Sequence, residues 1–89
     1  MSNTPLDNWR KQIDALDNEI ISLLAKRMDI VEKIGKYKKE NNMPLMDNNR
    51  WQLLTQQLLH KAEKLNLSTE LVKDIYDQIH KHAMRIEEQ

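Results

Sequence analysis

The chain has no cysteine, no phenylalanine, a single glycine and two prolines in 89 residues. Without cysteine there is no disulfide scaffold, no thiol chemistry and no usual structural zinc site. Aromatics are only 4%, and Leu, Ile, Lys, Glu, Gln, Asp and Asn outweigh Val, Thr and Tyr, a balance poor for strands and good for helices. Neither sign of charge is in excess, since Lys+Arg and Asp+Glu are both 14. That balance gives no reason to expect a nucleic acid or an anionic membrane as partner. No apolar run reaches the roughly 18 residues of a membrane span, and the opening MSNTPLDNWR has no apolar signal region. One cytoplasmic domain, residues 1–89, is therefore expected.

What is present is periodicity. Leu6, Trp9, Ile13, Leu16, Ile20, Leu23, Ile30, Ile34 and Tyr37 follow a 3,4 spacing, which predicts one long helix from about Pro5 to about Glu40. Pro5 suits a first helical turn, and Thr4 is a candidate N-cap. Such a helix is on the order of 50 Å long. The rest of the chain is too short to cover its apolar stripe, so a second copy is the expected cover. Asn41, Asn42, Met43 and Pro44 interrupt the pattern, because a residue before proline resists the α conformation. Asp47 reads as the N-cap of a second helix to about Leu65, with Trp51, Leu54, Leu58, Ala62 and Leu65 as its apolar positions. Asn66 ends it. Ser68 caps a third helix to about Glu87, whose apolar face is Leu71 or Val72, Ile75, Ile79, Ala83 and Ile86. Leu67 and Val72 have the spacing of a hydrophobic staple. The expected class is all-α, a three-helix protomer within a helical homodimer.

Arg27 breaks the apolar seam, standing where Leu or Ile belongs. A buried guanidinium costs several kcal/mol unless paired. Either it snorkels to the helix edge or pairs with an acid, or it faces a cavity that binds an anion. Lys38 lies about three turns further along the same face, although its neighbours Lys33, Lys36 and Lys39 read as a solvated face. Gly35 sits between them in mid-helix at a cost of about 1 kcal/mol relative to Ala; it either permits a close backbone approach or is neutral. Arg10 is turned about 100° off the Arg27 face, so it is either solvated or directed to the cavity of a second copy. Asp47 with Arg50 is common in a structural helix start, and a terminal Glu87 is ordinarily solvated. His60, His80 and His82 show no ligand spacing, so no metal or cofactor is expected.

The set R10-x16-R27-x10-K38-x8-D47-x2-R50, with LLAKR followed by IGKYK, resembles the all-α (type II) chorismate mutases over nearly the whole chain. The resemblance implies a protomer whose long first helices intertwine in a homodimer with two shared sites. It implies that Arg27, and Arg10 of a second copy, bind the two carboxylates of chorismate. Lys38 would bind a carboxylate and the ether oxygen of the breaking bond. The Asp47 backbone N–H would approach the ring hydroxyl, Arg50 would support the anionic site, and Ile34 would form apolar wall. The implied activity is the pericyclic rearrangement of chorismate to prephenate in phenylalanine and tyrosine biosynthesis.

Three positions depart from the family pattern. Trp51 replaces a Glu that accepts the ring hydroxyl, and Ala83 replaces a Ser that touches a carboxylate. Glu87 stands where a Gln donates to the ether oxygen, a change other members share; it can donate only when protonated. Trp51 opens two alternatives, an isochorismate pyruvate lyase and an amino-deoxychorismate mutase. The Arg50–Trp51 pair also resembles mutase domains associated with 3-deoxy-arabino-heptulosonate-phosphate synthase, which implies association or fusion with such an enzyme. Outside catalysis, the long heptad helix alone would also serve a helical dimerisation module, which would need neither Arg27 in the seam nor Lys38 in register with it.

Overall fold

Three helices form where local chemistry starts and stops them. A computed structural model describes residues 4–89. In it α1 runs Pro5–Glu40, α2 Asn48–Lys64 and α3 Thr69–Glu88, and there is no strand among the described residues. Each N-terminus carries the cap its sequence predicts. The Asp7, Arg50 and Leu71 backbone N–H groups donate to Thr4 Oγ1 at 3.1 Å, Asp47 Oδ1 at 3.0 Å and Ser68 Oγ at 3.2 Å. Each satisfies one amide that the helix start leaves without an intrahelical acceptor.

The second helix stops at Asn66 as the sequence suggests, whereas the first stops by a different device from the proline effect. Asn42 and Asn66 adopt the left-handed conformation, with φ of 53° and 54°. After α1, Asn42 N–H donates to the Lys39 carbonyl and Met43 N–H to that of Lys38. After α2, Asn66 N–H donates to Glu63 and Leu67 N–H to Ala62. These are two Schellman motifs with Asn in the place Gly usually takes. Pro44 follows the first stop and does not cause it.

The fold divides after Ile30 into two bodies. In the first, the part of α1 up to Ile30, the large apolar side chains Leu6, Trp9, Ile13, Leu16, Ile20, Leu23 and Ile30 are all exposed. The second body, Val31–Gln89, holds the buried apolar residues Val31, Ala62, Val72 and Ala83. Within it α2 and α3 pack on each other across the connection 65–68, and the start of α2 meets the later part of α3. The inward face of α3 is Val72, Tyr76, His80, Ala83 and Glu87, all buried or half-buried, in steps of three and four. Of the two readings of its start, the structure buries Val72 and leaves Leu71 exposed; Ala83, Ile79 and Ile86 are buried or half-buried as expected, and only Ile75 of the expected face stays exposed. Leu67 is exposed as well.

Candidate functional site: a buried ion pair beside an aromatic stack

Lys38 sits one turn before the stop of α1, and its own carbonyl is held by Met43 N–H. Its ammonium donates to the Leu45 carbonyl at 2.6 Å and to Glu87 Oε1 at 2.7 Å. The side chains are 16% and 6% exposed. Two other ion pairs, Lys36 with Glu32 and Lys81 with Asp77, are exposed i,i+4 contacts, worth only about 0.3–0.5 kcal/mol each. The Lys38–Glu87 pair is of another kind, because removing one partner leaves a charge stranded out of water at a cost of about 3–5 kcal/mol.

Gly35 explains how Glu87 comes to be buried. A Cβ built on Gly35 would lie 2.8 Å from Glu87 Cα, 3.2 Å from its carbonyl oxygen and 3.3 Å from its Cβ. The end of α3 crosses α1 at a distance only a residue without a side chain allows. Of the two readings of this glycine, the structure selects close approach. It also sets aside the alternative reading of Glu87 as a solvated helix terminus.

Lys38 opens onto a pocket of about 400 Å³, lined also by Met43, Pro44, Met46, Asp47, Asn48 and Asn49. Asp47 reaches it as the α2 N-cap. Arg50 follows in the first turn and is exposed. Trp51 is half-buried and stacks on His80 of α3, ring centroids 3.9 Å apart and planes 21° apart. Ala83 is buried between His80 and Glu87 along α3. Ile34, beside Gly35, is 41% exposed. The structure thus gathers Lys38, Glu87 and Asp47 directly, and joins Trp51 to the α3 face that carries Ala83 and Glu87.

Two predicted site residues lie in the first body. Arg10 is exposed on α1. Arg27 is half-buried, and its Nη1 is buried without a hydrogen-bond partner. A guanidinium nitrogen in that condition is unfavourable on its own, which sets aside the reading of Arg27 as a snorkelling surface residue. His80 and the Leu45 carbonyl are contacts the sequence reading missed. His80 precedes Glu87 by two helical turns, and that spacing was the available signal.

A cation of this kind, fixed by a carboxylate and a carbonyl at the edge of a pocket, suits recognition of a small anion. Among the described residues no three His, Cys, Asp or Glu side chains cluster as a metal site would require, and no helix is long and apolar enough to cross a membrane.

Several known proteins are similar to this chain. A solved structure, a conserved hypothetical protein from Pyrococcus furiosus, is 35% identical with a TM-score of 0.71 and covers 97% of this chain and 99% of its own. The T-protein of Haemophilus influenzae is 36% identical over 70 residues, 79% of this chain and 19% of its own length. A bifunctional chorismate mutase/prephenate dehydratase of Buchnera aphidicola is 33% identical over 88% of this chain and 20% of its own. The chain thus spans about a fifth of the length of these two relatives. A 4-amino-4-deoxychorismate mutase of Streptomyces venezuelae is 26% identical over 93% of this chain and 81% of its own. The family model for chorismate mutase type II matches residues 9–88, and the chain belongs to that family.

Proposed function

We propose that this chain is a chorismate mutase, converting chorismate to prephenate by pericyclic rearrangement. The observation that carries the reading is the half-buried Lys38 ammonium, held in place by Glu87 and the Leu45 carbonyl. The rearrangement needs no nucleophile and no acid–base relay. It needs the compact reactive conformer to be selected, which is positioning, and the charge developing on the ether oxygen to be stabilised, which is electrostatic preorganisation. Lys38 serves the second purpose as a point charge, while Arg27 and Arg10 grip carboxylates with a planar fork. Asp47 and Arg50 complete the polar side, and Ile34, Trp51 and Ala83 the wall. The direct test is loss of chorismate absorbance with prephenate as product, with isochorismate assayed in parallel for salicylate. No turnover of chorismate would sink the proposal.

The working form is an intertwined homodimer of single-domain protomers, acting in the cytoplasm. What supports it is the exposed stripe from Leu6 to Tyr37 on α1, set against the small buried apolar residues Val31, Ala62, Val72 and Ala83. Leaving such a stripe in water forfeits about 25 cal/mol for every Å² of apolar surface. Arg10 acts in the site of the second copy. Arg10→Ala and Arg27→Ala homodimers are each expected to be inactive. Mixing and exchanging their protomers should restore about a quarter of wild-type turnover, because half the dimers are then mixed and each mixed dimer keeps one intact site. Verified exchange without recovery would assign each site to one chain. The Arg50–Trp51 pair supports association or fusion with a 3-deoxy-arabino-heptulosonate-phosphate synthase, testable by co-purification.

Glu87, the carboxylate partner of Lys38, stands at the ether oxygen, where it can donate only with a proton on it. An ionised carboxylate only accepts, and it sets a second negative charge against the developing oxyanion. Glu87→Gln supplies a permanent N–H donor. It should therefore turn chorismate over faster than wild type. A Glu87→Gln rate no higher than that of wild type removes Glu87 from the donor role.

A further inference from the structure

Trp51 projects from the first turns of α2, and its indole lies flat on the imidazole of His80. The Thr55 hydroxyl donates to the Trp51 carbonyl at 2.8 Å, tying down the turn that carries the indole. His80 belongs to the inward face of α3, followed on that face by Ala83 and Glu87. The rise from His80 to Glu87 is about 10 Å, roughly the length of a six-membered ring with a short acidic side chain. Ala83, the small residue between them, is buried. The aromatic stack and the Lys38–Glu87 pair therefore stand at opposite ends of one α3 face, the first flat and the second charged.

We propose that His80 is a positioning residue: by stacking on Trp51 it fixes the indole as the flat wall against the substrate's ring, and so helps set which ring substituent the site accepts. This rests on the mutase reading above. A rigid wall favours the compact conformer over extended ones, so its orientation affects turnover more than binding. An aromatic face presents no fixed carboxylate to a ring hydroxyl or amine. It does attract an ammonium through its quadrupole. Tilting the indole therefore changes the preference between hydroxyl- and amino-bearing substrates as well as the rate.

The test compares His80→Phe with His80→Leu, two apolar replacements that differ in whether a ring remains to stack. Both are assayed with chorismate and with 4-amino-4-deoxychorismate, beside thermal unfolding of each dimer. His80→Phe is expected to keep kcat for chorismate within about threefold of wild type, whereas His80→Leu loses about tenfold in kcat with little change in KM. The ratio of kcat/KM for the two substrates should move in His80→Leu and hold in His80→Phe. Equal kinetics in the two variants, whatever their melting temperatures, would reduce His80 to packing and overturn the inference. Wild-type protein that leaves both substrates unchanged overturns the mutase reading itself and this inference with it. Wild-type turnover with indistinguishable variants overturns the inference alone.

Discussion

Lys38→Met should lose catalysis by about a hundred- to a thousandfold, the scale on which single preorganised donors to a developing oxyanion act. It should also unfold more readily. The Glu87 carboxylate, 6% exposed, would be left without its cation, at a cost of about 3–5 kcal/mol. The two losses have separate causes, and a second variant parts them. Lys38→Met combined with Glu87→Leu removes both charges, and replacing a buried pair with apolar side chains is often neutral. The double variant should regain most of the stability and none of the activity. Urea denaturation gives the stabilities and prephenate formation the rates. If the double variant recovers activity along with stability, Lys38 is a structural anchor and not the electrostatic group of the reaction.

Gly35→Ala tests the crossing that buries Glu87. Two effects oppose each other. In an exposed helix interior alanine is favoured over glycine by about 1 kcal/mol. Here the new methyl meets backbone, with Glu87 Cα at 2.8 Å, and backbone cannot rotate aside as a flexible side chain would. Overpacking of this kind costs about 1–3 kcal/mol. The cost should exceed the gain, for a net loss of about 1 kcal/mol. The effect on turnover should be larger than the effect on stability. To relieve the contact, the end of α3 must move away from α1, and Glu87 then leaves Lys38. Small displacements of catalytic groups cost about a hundredfold in rate. A Gly35→Ala protein as stable and as active as wild type would mean that the two helices do not pass this closely in solution.

Most of the secondary structure is legible in the sequence because its causes are local. Thr4, Asp47 and Ser68 each bond an amide three residues on, so the caps need nothing beyond their own turn. The 3,4 periodicity of α1 reports a face in the same way. The stop after α1 is less legible than the one at Asn66. Asn42 and Asn66 take the left-handed conformation, which Asn tolerates but which its presence alone does not require. Pro44, the louder signal, lies beyond the stop.

The candidate site divides along the same line. The basic positions Arg10, Arg27, Lys38 and Arg50 stand out by type and spacing, and the family resemblance follows from them. By itself the sequence determined three capped helices, an apolar stripe longer than one protomer covers, and the chemistry available to the site. Only the tertiary structure decided which of several lysines is withdrawn from water, that Glu87 is its partner, that Gly35 exists for the crossing, and that His80 belongs with Trp51. These are contacts between residues far apart in the chain. Periodicity places a side chain on a helix face, but the partner helix determines whether that face meets water, a charge or a ring.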